Sequence, residues 1–116
     1  MTKIFLLFAL IFIGFTSKAQ KRLSNEEFKN LMKEKGAQIL DVRTAKEVAE
    51  GKIEGSINID YFSPKFLENA SKLDKSKPVL IYCAAGGRSL SAAKDLNKAG
   101  FKKVYDLQTG FDGWKE

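Results

Sequence analysis

The stretch Val79-Leu80-Ile81-Tyr82-Cys83-Ala84-Ala85-Gly86-Gly87-Arg88-Ser89-Leu90 decides how this chain is read. Val79 to Tyr82 is the most hydrophobic run after residue 20, and it is continuous rather than alternating. That pattern fits a strand buried on both faces of a parallel sheet. The run ends at Cys83, the only cysteine among 116 residues. Small residues follow, then Arg88, Ser89 and a segment with Leu90, Ala93 and Leu96 at helical spacing, closed by Gly100. The expectation is a strand, a tight loop and a helix, with a thiol at the joint.

Working outward, strands and helices alternate. Upstream, Leu23-Ser24-Asn25-Glu26-Glu27-Phe28 reads as a helix entrance. Ser24 and Glu27 form a capping box, and Leu23 and Phe28 form a hydrophobic staple. Phe28, Leu31 and Met32 would be buried, Lys33 and Lys35 fall in the last turn, and Gly36 is the terminator. Gln38 to Val42 is a short apolar strand; Thr44 to Glu50 forms a short helix closed by Gly51. Ser56 to Ile59 is the next strand, with Ile57 and Ile59 on one face. Ser63-Pro64 reads as a helix start with serine as N-cap, and Phe66, Leu67, Ala70 and Leu73 supply that helix with an apolar side. Downstream, Val104 to Leu107 is the last strand, and Gly110 to Trp114 is a short turn that returns Trp114 to the core. The class is therefore α/β with a mainly parallel sheet.

With 44% hydrophobic and 29% charged residues of mixed sign, the chain is an ordinary globular one of a size for one small domain. The first nineteen residues stand apart. Lys3 precedes an apolar run from Ile4 to Phe15, then Thr16-Ser17-Lys18-Ala19-Gln20 turns small and polar. This is the layout of a signal peptide, with cleavage expected after Ala19 and a periplasmic or secreted product. The run is shorter than the roughly 18–20 residues a spanning helix needs; retention as an uncleaved anchor is the alternative. Losing Lys3 and Lys18 takes the net charge from +6 to +4. That balance helps draw in small anions. The lysines alternate with glutamates and no aromatic residues interleave them, so nucleic acid is not an expected partner. There is no histidine, which excludes Cys-His and Ser-His pairs and most zinc sites. No metal or other cofactor is expected. Whatever activates Cys83 must be backbone, arginine or lysine.

In such sheets, sites form at the carboxyl ends of strands, where Cys83 falls. Four residues, Ala84, Ala85, Gly86 and Gly87, separate it from Arg88. Their minimal side chains let the backbone fold into a bowl, and paired glycines can turn successive N–H groups the same way. Those groups, the helix terminus with about half an elementary charge, and Arg88 would favour a thiolate without any base. A lone cysteine at the end of a buried strand is by itself more often a packed small hydrophobe; the glycines, arginine, serine and helix that follow it reverse that reading.

Cys83-Ala84-Ala85-Gly86-Gly87-Arg88-Ser89 resembles the active loop of the rhodanese family, Cys-x-x-Gly-x-Arg-Ser. Asp41-Val42-Arg43 with Glu47, Gly51 to Ile59, and Leu107 to Trp114 resemble three further family segments, in the expected order. Lys52, Glu54 and Thr109 depart from the family pattern, which carries histidine, proline and glycine there; an altered turn is expected at the first two. The resemblance implies a parallel sheet of about five strands with helices on both faces, in a single exported domain similar to periplasmic rhodaneses, expected to be monomeric. It implies sulfur transfer from a small anionic donor such as thiosulfate to a thiol or cyanide acceptor, through a Cys83 persulfide. Ala84 to Ser89 would bind the donor, and Arg88 would orient the loop or the donor, or form a structural ion pair. Asp41 and Arg43 would be supporting residues, Arg43 pairing with Glu47 and Asp41 hydrogen-bonding the loop. The alternatives are a non-enzymatic sulfur-binding or partner-docking module and a rhodanese-related phosphatase. The latter needs five residues between cysteine and arginine, where this loop has four.

Overall fold

A computed structural model describes residues 20–116. The expected signal peptide, residues 1–19, lies outside the described residues. Five parallel strands form one sheet: β1 (Lys21–Leu23), β2 (Gln38–Asp41), β3 (Ile57–Asn58), β4 (Val79–Tyr82) and β5 (Val104–Leu107), in the order β1-β5-β4-β2-β3. Between them run α1 (Asn25–Met32), α2 (Ala45–Ala49), α3 (Phe66–Ala70) and α4 (Gly87–Lys98), and a 3-10 turn at Phe111–Gly113 follows β5.

The central strand β4 is buried along its whole length because both faces are covered. Side chains alternate across a strand. Val79, Ile81 and Cys83 therefore pack with Ala92, Ala93 and Leu96 of α4 and with Phe66 and Ala70 of α3. Leu80 and Tyr82 point the other way, to Phe28 of α1, Ile53 and Leu107. Each large side chain removed from water in these clusters contributes about 1.5–3 kcal/mol. Trp114 is half-buried and meets Phe28 edge-on, ring centroids 5.7 Å apart.

The cap at Ser24 forms as the sequence implies: Ser24 Oγ accepts from Glu27 N at 3.2 Å, and Ser24 N donates to Glu27 Oε1 at 2.9 Å. Other boundaries differ. The sequence reading names four strands; the fifth is β1, which adds Lys21–Leu23 to the β5 edge. Helix α1 stops at Met32, and the chain turns from Lys33 to Gly36, whose φ is +85°. Ser63 does not cap a regular helix. Its Oγ accepts from Lys65 N at 3.1 Å and its carbonyl from Phe66 N at 3.0 Å, closing a turn before α3 starts at Phe66. The hydroxyl is satisfied locally, one turn too early. Ile57 stands 45% exposed on edge strand β3, while Ile59 packs on the α4 side of the sheet. At the family-variant positions, exposed Lys52 and Glu54 flank the fully buried Ile53.

Candidate active site

Cys83 lies one residue beyond β4, between the carboxyl ends of β5 and β2, and is 1% exposed. The chain then curls back over its own sulfur. Gly86 N donates to Cys83 Sγ at 3.1 Å and Ser89 N at 3.3 Å; the Ser89 hydroxyl is 3.6 Å from the same atom. The curl requires Gly86 to take φ +105° as the N-cap of α4. Two backbone N–H donors thus converge on one sulfur. The sulfur packs within the α4-side core and also accepts two backbone hydrogen bonds.

The loop is held from outside by its carbonyls. Phe111 N donates to Cys83 O at 2.7 Å and Asp112 N to Ala84 O at 2.9 Å, both from the 3-10 turn. Arg22 Nη2 donates to Gly86 O at 2.6 Å. No cis peptide occurs among the described residues. In a trans peptide the N–H points opposite to the C=O. Tying the carbonyls of residues 83, 84 and 86 outward thus turns the N–H groups of Ala84, Ala85 and Gly87 away from their anchors. The closing segment comes so near that a side chain at Gly110, whose φ is +69°, would collide with Ala84 O and Ala85 N.

Arg88 faces the rim. Its Nη1 and Nη2 hold the two carboxylate oxygens of Glu47 at 2.8 and 2.9 Å, and its guanidinium lies 5.2 Å over the ring of Phe62, which is 67% exposed. Hydrogen bonding to Arg88 above all, then to Thr44 N, lowers the Glu47 carboxyl to about 2. The same bond to Glu47 raises Arg88, against the opposing effect of burial. Arg88 therefore enters the site as half of an ion pair.

Asp41 and Arg43 do not take their expected partners. Arg43 pairs with Asp41 (Nη2–Oδ2 2.8 Å), not with the Glu47 carboxylate, and reaches only the backbone oxygen of Glu47 at 3.4 Å. It also donates to Gly51 O at 2.7 Å, and its guanidinium carbon lies 5.3 Å from the Tyr82 ring centroid and 4.5 Å from that of Phe111. Asp41 accepts from Tyr82 Oη at 2.7 Å rather than from the loop. The Tyr82 oxygen in turn accepts from Ile53 N at 3.0 Å. Both residues anchor the 51–58 connection beside the site. The pairing of Arg43 with Glu47, expected from the resemblance, does not form. Asp41 is nearer across the strand end, and α4 brings Arg88 to Glu47 instead.

Two residues that the sequence reading missed complete the support. Asp106 is fully buried in β5 and accepts from Arg22 Nη2 at 2.8 Å and from Ser89 Oγ at 3.0 Å. A charged residue in the middle of the apolar run Val104-Tyr105-Asp106-Leu107 was a usable signal, since a buried carboxylate demands partners. Arg22 had no local signal; it meets Asp106 only because β1 and β5 pair in parallel register.

A concavity of about 410 Å³ between α1 and Trp114, lined by Lys29, Met32 and Ile53, lies on the other face of the sheet from Cys83. A site for one sulfur atom needs a ring of N–H donors rather than a cleft of that size. Among the described residues, no cluster of histidine, cysteine or carboxylate side chains could hold a metal ion, and no helix is long and apolar enough to cross a membrane.

Comparison with known proteins agrees with this geometry. Residues 24–116 match the model of the rhodanese-like domain. Thiosulfate sulfurtransferase GlpE of Coxiella burnetii is 39% identical over 95 residues, covering 82% of this chain and 87% of that protein. The chloroplastic thiosulfate sulfurtransferase 16 of Arabidopsis thaliana is 37% identical over 89 residues, covering 68% of this chain and 74% of that protein. The crystal structure of a rhodanese-like domain protein from Staphylococcus aureus superimposes with a TM-score of 0.72 at 30% identity, covering 83% of this chain and 92% of that one.

Proposed function

The chain belongs to the rhodanese-like domain family, and from that premise we propose that it is a sulfurtransferase working through a persulfide on Cys83. The observation that carries the reading is the convergence of Gly86 N and Ser89 N on a sulfur that no histidine attends. In the first half-reaction the Cys83 thiolate attacks the outer sulfur of thiosulfate. The S–S bond of the donor breaks, its electron pair leaves with sulfite, and Cys83 carries a terminal sulfur anion. The loop N–H groups that face away from the anchored carbonyls stabilise that anion, as fixed donors stabilise any developing charge in a water-poor site. In the second half-reaction a thiolate, or cyanide, attacks the terminal sulfur. The Cys83 Sγ–S bond breaks and the thiolate returns, with no proton transfer that would call for an acid or base.

Ala84 to Ser89 form the donor-binding loop. Arg88 is positioned by Glu47 to contribute a screened positive field at the rim rather than a free charge. The named relatives, thiosulfate sulfurtransferases, support thiosulfate as the donor. We also propose export with cleavage after Ala19, on the strength of the Lys3, Ile4–Phe15 and Ser17-x-Ala19 pattern. The test of function is thiocyanate production from thiosulfate and cyanide by residues 20–116. Activity that disappears in Cys83→Ser supports the reading; an inactive wild-type protein overturns it.

A further inference from the structure

Among the described residues, the charged side chain that hydrogen-bonds the loop backbone from outside is Arg22. It stands beside Asp106 because residues 22 and 106 are register partners in the parallel β1–β5 pair, which places their side chains on the same sheet face. From there its Nη2 bridges two acceptors, Gly86 O at 2.6 Å and Asp106 Oδ2 at 2.8 Å, while Nε adds a bond to Asp106 at 3.1 Å. Asp106 Oδ2 also accepts from Ser89 Oγ, which lies beside Cys83 Sγ. The chain of contacts thus runs from an outer strand to the reacting atom by two routes.

We propose that Arg22 is a positioning residue for the sulfur-binding loop: it fixes the 86–87 peptide through Gly86 O, aiming the Gly87 N–H into the bowl, and through Asp106 it fixes the Ser89 hydroxyl against Cys83. This rests on the sulfurtransferase reading for its kinetic consequence and on geometry alone for its structural one. The peptide is trans, so holding the carbonyl toward Arg22 sends the following N–H the opposite way. Gly87 is the first residue of α4, and the first N–H groups of a helix have no intrahelical acceptor. Gly86 at φ +105° has no side chain to resist rotation of that peptide; Ser89 Oγ reaches its carbonyl at 3.3 Å, and Arg22 Nη2 holds it more closely at 2.6 Å. A fork-shaped guanidinium can hold a carbonyl and a carboxylate together, which a compact ammonium cannot do with the same geometry.

The test uses Arg22→Lys, and Arg22→Met combined with Asp106→Asn so that no buried carboxylate is left unpaired. Steady-state kinetics with thiosulfate and cyanide are read beside the 15N–1H shift of the Gly87 amide, before and after sulfur loading of Cys83. In both variants kcat should fall about tenfold or more, by analogy with the loss of a fixed oxyanion donor, with the thiosulfate KM within about twofold. The Gly87 amide should be displaced in the reduced variants, and its response to sulfur loading should shrink. Arg22→Lys should keep the denaturant midpoint near wild type yet not recover kcat, whereas a purely structural role would recover both. Wild-type kcat and an unmoved Gly87 amide in the two variants would overturn the proposal. If the wild-type protein transfers no sulfur, the functional reading fails by itself, and the Gly87 shift in the reduced proteins still decides the orientation.

Discussion

Arg88 and Glu47 meet in a two-pronged ion pair, Nη1–Oε1 2.8 Å and Nη2–Oε2 2.9 Å, that ties the first turn of α4 to the first turn of α2. Glu47 already caps α2, accepting from Thr44 N at 2.9 Å. One carboxylate therefore closes a helix and orients the arginine of the loop.

That pair gives stability a defined pH dependence. Arg88 above all, then the Thr44 N–H, holds the Glu47 carboxyl at about 2, below its ordinary 4.5. A carboxyl that is the stronger acid when folded stabilises the fold fully above about pH 4.5 and loses that contribution as pH falls toward 2. Glu47→Gln should cost about 1 kcal/mol near neutral pH, a figure reduced for solvent screening of a partly exposed pair. The difference in urea midpoint between wild type and variant should shrink below pH 4.5 and vanish near 2. A difference that does not change with pH contradicts the assignment.

Gly110 and Gly87 should respond oppositely to alanine. At Gly110, φ is +69° and a Cβ would strike the Ala84 carbonyl, so Gly110→Ala must move either the turn or the loop. A loss of about 2 kcal/mol or more is expected, as for other strained, overpacked sites. At Gly87 a Cβ meets nothing within 4 Å in the first turn of α4, so Gly87→Ala should stabilise by about 0.5–1 kcal/mol. Thermal unfolding of the two proteins measures both; equal effects would contradict the close approach of the closing segment to the loop.

Tyr82→Phe removes one oxygen that serves Asp41 Oδ2 at 2.7 Å and Ile53 N at 3.0 Å in a buried site. Asp41 Oδ2 keeps Arg43 Nη2, but the buried Ile53 N–H loses its acceptor, which should cost about 1–3 kcal/mol. The cluster of Asp41, Arg43 and Tyr82 does not bond the loop, so kcat should stay within about threefold of wild type. A variant of normal stability with abolished sulfur transfer would instead place the cluster in the reaction.

What the sequence disclosed and what it hid have physical reasons. The unbroken Val79–Tyr82 run, the small-residue loop and the Ser24–Glu27 box are local signals, and each forms where the pattern puts it. Cys83 and Gly86 to Ser89 come together because six consecutive residues curl around one atom. Ala84 and Ala85 join them through their carbonyl-anchored peptides rather than through side chains. The pairing of six charged residues was hidden: Arg43 takes Asp41, Glu47 takes Arg88, and Arg22 takes Asp106 across 84 positions of sequence. Charges are read locally in a sequence, whereas parallel crossovers decide which of them meet. Strand β1 was hidden for the same reason, since only Leu23 of its three residues is buried.

Export predicts a protein that begins at Gln20. Edman sequencing or intact mass of the chain recovered outside the cytoplasm of a producing cell should give that terminus. A full-length chain retained in the membrane fraction would contradict cleavage and support the anchor.

The most direct test of the central claim is the intact mass of residues 20–116 after incubation with thiosulfate. A Cys83 persulfide gives a gain of one sulfur atom, removed by cyanide, absent in Cys83→Ala, and accumulating when no acceptor thiol is supplied because the chain holds no second cysteine. No adduct from thiosulfate or from any persulfide donor, in a protein whose Cys83 is shown to be reduced, would contradict it.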